Sequence, residues 1–257
     1  MFRMSSKPSF ARLQASGLHL GISLAIALLA ALLVFGLWYP YPYRETSGGR
    51  ELFLIVVAVD VILGPLITLA VFNLRKPRSE LVRDLAIVGL IQLAALGYGL
   101  WTVFVARPVH LVFEYDRFRV VHAVDVPQEM LDQGPADVQA LPVTGPTLLA
   151  LREFRDGQEK ADATLAALQG MVLSARPDLW QPYAQARERV LQAARPLADL
   201  GQRFGDQKAL IDAQVKGTGQ TADTLVYLPL VARKTFWTVL LDARTAEVRG
   251  FVPLDSF

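Results

Sequence analysis

Residues 18–38, LHLGISLAIALLAALLVFGLW, contain no charged side chain. At a rise of 1.5 Å per residue, a helix of this length is about 31 Å long, which matches the hydrocarbon core of a bilayer. A cleaved signal peptide is the competing interpretation, but the apolar run is too long and no small-x-small cleavage pattern follows it. The run ends in Trp38-Tyr39-Pro40-Tyr41-Pro42-Tyr43, which is typical of a membrane interface. We therefore predict a transmembrane helix.

Two more apolar runs follow, at residues 52–72 and about 85–106, and neither has the polar face of a helix that lies on a membrane surface. The whole chain is 53% hydrophobic, with a mean hydropathy of +0.33. From residue 107 onward the composition is that of an ordinary mixed domain. We therefore predict a membrane domain with three transmembrane helices at residues 1–106 and a second domain at residues 107–257.

The basic residues near these runs predict the orientation. They cluster before the first run and between the second and third, whereas the first loop has only Arg44 and Arg50. The clustered residues are Arg3, Lys7, Arg12, Arg75, Lys76, Arg78 and Arg83. Because basic loops stay in the cytoplasm, we expect a cytoplasmic N-terminus and, after three crossings, a C-terminal domain outside the cytoplasm.

Polar residues within the apolar runs are candidate functional positions. An ionised Asp60 at the bilayer centre costs about 2.5 to 3.5 kcal/mol. Two readings stand equal: Asp60 is a proton or partner-contact site, or it is protonated or hydrogen-bonded between helices, with Gln92 as one partner. Gly64 and Pro65 predict a kink, and Thr68 can bond a carbonyl that the proline frees.

Small residues recur every four positions on two of the predicted helices and form candidate helix-contact faces. They are Gly17, Gly21, Ala25, Ala95 and Gly99. Such faces let helices approach closely. Packing within this chain is the favoured interpretation, and contact with a transmembrane helix of another protein is the alternative.

The second domain is predicted to be α+β, with an N-terminal β-hairpin, a helical middle and C-terminal antiparallel strands. The hairpin turns at Asp116-Arg117, between strands at residues 109–115 and 118–124. Helices are expected at residues 147–154, 158–174, 182–202 and 206–215, with Pro196 kinking or splitting the third. The last strands are expected at residues 224–231, 235–241 and 247–252.

The sequence offers little catalytic chemistry. There is no cysteine, and no HExxH, GxSxG, Walker A or GxGxxG motif. His110 and His122 can face each other across the hairpin as a metal or acid/base pair, but polar residues on a strand surface are the favoured interpretation. No basic stripe with interleaved aromatic residues suggests nucleic-acid binding. We therefore predict no catalytic residue, metal or cofactor, no nucleic-acid partner and no enzymatic activity.

Several stretches together resemble the TfpX/TfpZ family of type IV pilin accessory proteins. They are residues 12–20 (RLQASGLHL), 38–40 (WYP), 59–69 (VDVILGPLITL), 92–100 (QLAALGYGL), 106–109 (ARPV), 113–118 (FEYDRF), 240–242 (LLD) and 252–255 (VPLD). The likeness spans the whole chain and is most specific in its first 125 residues. Arg107 and Pro108 form a characteristic motif where the chain leaves the third helix.

This resemblance implies a protein of the bacterial inner membrane, with its C-terminal domain in the periplasm, that assists the stability or assembly of a cognate type IV pilin. The implied partners are pilin, by direct contact, the pilus assembly machinery and the lipid bilayer. A membrane-anchored periplasmic sensor that signals through a cytoplasmic partner is the alternative. The predicted cytoplasmic segments are short and contain no output domain.

Overall fold

The computed structural model describes residues 7–73 and 76–257. The contact pattern divides the chain into two compact units. The first unit contains the described residues up to Leu37 together with Gly49–Val105, and the second contains Trp38–Gly48 and Ala106–Phe257. The residues after the first apolar run therefore group with the C-terminal part, which the division at residue 106 does not anticipate. Arg3 and Arg75, two residues behind the predicted orientation, lie outside the described residues.

Helices form the first unit and are interspersed with strands in the second. In chain order the α-helices are α1 (Lys7–Leu33), α2 (Tyr43–Thr46), α3 (Gly49–Ala58), α4 (Gly64–Val71), α5 (Arg78–Val105), α6 (Gly157–Leu168), α7 (Arg187–Ala193), α8 (Leu197–Arg203) and α9 (Lys208–Gly217). The strands are β1 (Pro108–Glu114), β2 (Arg117–His122), β3 (Thr147–Leu151), β4 (Trp180–Pro182), β5 (Arg195–Pro196), β6 (Leu225–Val231), β7 (Phe236–Asp242) and β8 (Val248–Val252).

Three helical segments of the described chain are long and apolar enough to cross a membrane: Phe10–Trp38, Gly49–Val71 and Arg78–Val105. They contain almost all of the three predicted runs and extend beyond them. Charge-poor helices of this length would expose a large apolar surface to water, which is unfavourable. They therefore indicate a membrane-associated protein.

The second of these helical segments contains a π-helical turn, Val59–Leu63, between α3 and α4. Pro65 stands in the first turn of α4. A proline inside a continuous α-helix removes a backbone donor and clashes with the carbonyl four residues earlier, and a wider turn before it relieves both problems. The interruption predicted at Gly64 and Pro65 therefore takes the form of a π-helical turn that includes Asp60.

Eight strands of the described chain form one mixed sheet in the order β4-β3-β1-β2-β6-β7-β8, with β5 paired to β6. The hairpin of β1 and β2 is present and closes through Tyr115, whose φ is 60°. β3 runs parallel to β1, and β6 runs parallel to β2, whereas β6, β7 and β8 form an antiparallel meander. The middle of the domain thus contributes strands as well as helices.

The predicted helix at residues 147–154 is wrong, because this segment forms strand β3. Its apolar run is short and bounded by Pro146 and Arg152, so periodicity cannot separate a strand from a buried helix. Leu149 and Ala150 are buried beside β1, and pairing within the sheet satisfies their backbone groups.

Two other predicted helices are shorter than expected. The helix predicted at residues 158–174 becomes α6, which begins where the Asp156 side chain accepts a hydrogen bond from the Glu159 amide and ends before Gly170, whose φ is 96°. The helix predicted at residues 182–202 is divided into α7 and α8. Pro196 lies at this division, in the short strand β5.

The sheet is covered on both faces. Leu111 and Phe113 of β1 belong to one cluster of buried side chains and Val112 belongs to another, because the residues of a strand alternate between faces. Val109 joins the cluster of Val112, since the register shifts between Pro108 and His110 and breaks the alternation there. A further cluster joins α8 and α9 to β6, β7 and β8. The hydrophobic core of the second unit is therefore built around the central strands.

The segment Trp38–Gly48 contributes to this core. Tyr43 is buried in the same cluster as Leu111, and its ring packs edge-on against Phe251 at 6.2 Å. The Lys234 amide donates a hydrogen bond to the carbonyl of Thr46 at 3.0 Å. The sequence predicts a membrane interface for the whole aromatic cluster. For Tyr43 this is wrong, because its side chain fills the core of the second unit.

We expect Tyr43→Ala to lower the free energy of unfolding of the second unit by about 3 to 5 kcal/mol, since it removes a large side chain from a packed core. Tyr41→Ala is the matched control, because Tyr41 packs on Trp237 but is 48% exposed. For both variants, the measurement is the temperature at which a protease begins to cleave the second unit in the purified full chain. Equal losses in the two variants would contradict the burial of Tyr43.

Candidate functional site

A row of polar side chains lies on one face of α1 and packs against α4. Ser16, His19 and Ser23 are three and four positions apart, which places them on the same side of a helix. The Ser16 hydroxyl donates a hydrogen bond to the carbonyl of Pro65 at 2.9 Å, and His19 Nδ1 shares a hydrogen bond of 2.5 Å with Thr68 Oγ1. The Thr68 hydroxyl is therefore engaged by a histidine of another helix.

Asp60 lies beside this row and is 8% exposed. Its Oδ1 atom has no hydrogen-bond partner among the residues that the structure describes. The Gln92 side-chain amide lies 3.5 Å from Asp60, but it approaches the main-chain oxygen of Asp60. Gln92 is therefore a neighbour of Asp60, as the sequence suggests, without compensating the carboxylate.

Asp60 lines two cavities in the described part of the first unit. The cavity between α3 and α5 has a volume of about 300 Å³ and is also lined by Val56, Ala95 and Gly99. The cavity between α1 and α5 has a volume of about 290 Å³, and its lining includes His19, Ser23 and Gln92. A partly unsatisfied carboxylate thus faces clefts whose walls are otherwise mostly aliphatic.

Gly64 and Gly99 permit close contacts between helices. A Cβ atom on Gly64 would overlap the Gln92 amide, and a Cβ atom on Gly99 would lie 2.6 Å from Cγ2 of Val56. Gly99 is therefore required by packing within the first unit, whereas the flexible end of the Gln92 side chain can move away from a Cβ atom on Gly64. This is the interpretation that the sequence favours for the small residues, and for Gly99 the structure shows the contact.

The small face of α1 is different. No atom of the described chain lies within 4 Å of a Cβ placed on Gly17 or Gly21, and Ala25 is exposed. Ala95 on α5 is also exposed, although it lines the cavity beside Gly99. The small face of α1 is therefore not packed against the other described residues. For this face the favoured interpretation, packing within the chain, is wrong.

Arg107 and Pro108 lie near the start of residues 106–257, the longer of the two segments that form the second unit. Pro108 begins β1, and Arg107 is buried. Arg107 Nε donates to the carbonyl of Pro142 at 3.1 Å, and its Nη2 donates to the carbonyl of Leu141 at 3.3 Å. These contacts hold the proline-rich loop against the sheet, so Arg107 has a structural role.

His110 is buried and fully engaged. Its ring nitrogens bond Thr147 Oγ1 at 2.6 Å and the carbonyl of Ala140 at 2.9 Å, and its ring packs edge-on against Trp180 at 4.4 Å. Removal from water lowers the pKa of His110 to about 4, while the hydrogen bond to Ala140 opposes this shift. His110 therefore remains neutral at physiological pH.

His122 does not face His110, because it lies opposite Pro108 in the hairpin while His110 lies opposite Val121. His122 Nδ1 lies 3.2 Å from the Asp125 carboxylate, which also pairs with Arg233 at 2.8 Å. Burial lowers the pKa of His122, and the bond to Asp125 opposes the shift. Both histidines are buried, so their predicted place on a strand surface is wrong.

Within residues 7–73 and 76–257, no three His, Asp or Glu side chains are grouped as metal ligands. The residues that the structure brings together are Asp60, Gly64, Pro65, Thr68 and Gln92 with His19 and Ser16. His19 and Ser16 were not predicted members. The three-and-four spacing of Ser16, His19 and Ser23 within an apolar helix is the sequence signal that identifies them.

Apolar helices of membrane-spanning length followed by a mixed α/β domain define the class, a membrane-associated protein with a folded C-terminal domain. The family of Fimbrial assembly protein FimB matches residues 8–48. Fimbrial assembly proteins of serogroups I and E1 from Dichelobacter nodosus are 35% and 34% identical over 247 residues, which cover 94% of this chain and 95% of each relative. The chain therefore belongs to the fimbrial assembly protein family.

A shorter match concerns the fimbrial assembly protein of serogroups C1 and C2 from the same organism, which is 39% identical over 120 residues, or 47% of this chain and 89% of the relative. No solved structure matches the chain.

We expect Gly99→Ala to destabilise the first unit by about 1 to 3 kcal/mol, because the added methyl group overlaps Val56. Gly97→Ala is the matched control on the same helix, since a Cβ there meets open space and alanine favours a helix. The thermal midpoint of the purified chain measures both. Val56→Ala should restore stability to the Gly99 variant, and failure of this rescue would contradict the contact.

Acid should destabilise the second unit through His110. The folded-state pKa of about 4 lies below the ordinary value of 6.5, so only the unfolded state gains a proton as the pH falls between these values. Stability is complete above pH 6.5 and declines toward pH 4 by up to about 3 kcal/mol, while His122 acts in the same direction. Thermal midpoints at several pH values test this, and His110→Gln should flatten the dependence. An unchanged slope in that variant would assign the effect to other groups.

Proposed function

We propose that this chain is an inner-membrane accessory protein of a type IV pilus, of the TfpX/TfpZ kind, that assists the stability or assembly of its cognate pilin by direct contact. The observation that carries the proposal is 35% identity to a fimbrial assembly protein over nearly the whole of both chains. A protein with that role interacts with components of the pilus. The three longest stretches shared with the pilin accessory proteins, residues 12–20, 59–69 and 92–100, lie in the helical unit, which supports contact with a pilin subunit while it is still in the membrane.

The connectivity of the second unit supports a topology with three crossings. Residues 38–48 and 106–257 belong to one folded unit, so the intervening residues 49–105 begin and end on the same side of the membrane. Such a segment crosses an even number of times, and its two long apolar segments supply two crossings. The first apolar segment supplies the third.

The basic residues support a periplasmic second unit. Arg12 lies near the start of α1, and three basic residues lie just before or near the start of α5: Lys76, Arg78 and Arg83. In the sequence, these helix ends are the ones farther from the residues of the second unit. Since basic flanks stay in the cytoplasm, the second unit is assigned to the periplasm. This is the compartment in which the soluble part of a pilin subunit is exposed.

A role without catalysis agrees with how the second unit uses its histidines. His110 holds Thr147 and the Ala140 carbonyl, and His122 is paired with Asp125. These contacts stabilise the sheet and its adjoining loops. We therefore propose that the chain acts by binding, without a cofactor.

Deletion of the gene should lower surface pili several-fold, and a plasmid copy should restore them. Total pilin and sheared surface pili are measured in the same cells. Lower total pilin would identify a role in pilin stability, whereas normal total pilin with few surface pili would identify a role in assembly. Unchanged amounts of both would overturn the proposal and favour a sensor, which would co-purify with a cytoplasmic regulator.

A further inference from the structure

We infer that Asp60 and the cavity between α3 and α5 form a binding site for a transmembrane helix of the pilin, and that this helix brings a hydrogen-bond donor to the Asp60 carboxylate. The inference rests on the proposed function and specifies its contact inside the membrane. It depends on three features of the cavity: a buried carboxylate, aliphatic walls and a position among membrane-spanning helices.

The carboxylate needs a donor that the described residues do not supply. Asp60 is more than nine-tenths buried, and its Oδ1 atom is without a hydrogen-bond partner among them. Hydrocarbon chains of lipids cannot donate a hydrogen bond, and a polar group left unsatisfied there costs several kcal/mol. Water or a group on another molecule can supply the donor that the described residues lack.

The walls of the cavity fit an apolar helix. Among the described residues that line it, Asp60 is the only Asp, Glu, Lys, Arg or His, and most of the remainder are aliphatic or small. A volume of about 300 Å³ accommodates side chains that project from one face of a helix, since a whole helix is about 10 Å across. Close approach is favoured by Ala95 and Gly99, which lie on its α5 wall.

The neighbouring cavity between α1 and α5 is a weaker candidate. Asp60 also lines it, but so do the Gln92 amide and the His19 ring, which are donors or acceptors of this chain itself. An incoming donor there would compete with groups already in place. The α3–α5 cavity has fewer such groups: its other polar lining residues are Tyr98 and Thr102, and the Thr102 hydroxyl donates to the Tyr98 carbonyl.

A pilin helix is favoured over a second copy of this chain. In a symmetric dimer the same surface patch contacts itself, so each Asp60 would meet the cavity of the other copy. The hydroxyl of Thr102, which lines that cavity, already donates to the carbonyl of Tyr98 within its own helix. Pairing of two such cavities would therefore bring together two carboxylates, with the Tyr98 hydroxyl as the one remaining side-chain donor among the described lining residues of each copy.

The site has a distinctive energetic signature. Because Asp60 costs free energy in an apolar helix, Asp60→Leu should leave the thermal midpoint and the cellular amount of the protein equal or higher. The same change should reduce capture of pilin by about 3-fold to 20-fold, which is the range expected for one polar contact between membrane helices. A residue needed only for folding would lower both quantities together.

Site-specific photocrosslinking in intact cells provides the test. A photoreactive residue at position 55 or 95 reports on the α3–α5 cavity, and one at position 26 or 93 reports on the α1–α5 cavity as a control. Crosslinks to pilin from positions 55 and 95, reduced several-fold by Asp60→Leu in a protein of normal stability, are the expected result. Ser23→Ala, which alters a polar residue of the other cavity, should leave these crosslinks unchanged.

The other outcomes are distinguishable. Crosslinks to a second copy of this chain, or an unchanged pilin yield with Asp60→Leu, would overturn the assigned site. Pilin crosslinks confined to positions 26 and 93 would also overturn it but would leave the proposed function intact. Absence of pilin crosslinks from every position, together with normal piliation after gene deletion, would reject the proposed function itself.

Discussion

The placement of a carboxylate in the middle of an apolar helical segment constrains the whole first unit. A carboxyl group at that depth is stable only when neighbouring groups donate hydrogen bonds to it or when it binds a proton and becomes neutral. Three features surround this carboxyl group: a row of polar side chains on α1, a π-helical turn that contains Asp60, and Gly64, which leaves space for the Gln92 amide. These features satisfy His19, Thr68 and a backbone carbonyl. They bring polar groups close to the carboxylate, but its Oδ1 atom has no hydrogen-bond partner among the described residues.

The second unit is discontinuous in sequence, and this has consequences for folding. Tyr43 enters a core whose other members lie mostly beyond residue 108, including Phe251. Contacts over such separations form late, because a long loop must close first. In the proposed topology, the first loop reaches that core only when residues 49–105 insert as a two-helix hairpin. A single failed crossing would deprive the sheet of Tyr43, so correct insertion and domain stability are linked through the chain.

Composition and periodicity predicted the three apolar helices, the hairpin and the last strands, because these signals are local and long. They could not predict β3, whose few apolar residues suit a buried strand or helix equally well. They also could not predict the burial of Tyr43 in the core of the second unit, since aromatic residues after an apolar run are common at membrane interfaces. Gln92 was correctly placed near Asp60 only because both are polar in apolar surroundings. Which oxygen the amide approaches depends on helix rotation, which the sequence does not encode locally.

A single polar contact inside a membrane is weak, at about 0.6 to 2 kcal/mol, so Asp60 cannot supply most of the affinity for a partner. Its advantage is selectivity. A helix without a donor at the matching depth leaves the carboxylate unsatisfied and is disfavoured, whereas a helix with one is held in a fixed register. Under the proposed function, most of the affinity would then have to come from further contacts with the same partner. Two weak contacts joined by one chain act at an effective concentration that reaches the millimolar range for short connections. Such an arrangement would suit the proposed role, because contacts that are individually weak can select the right subunit and still release it.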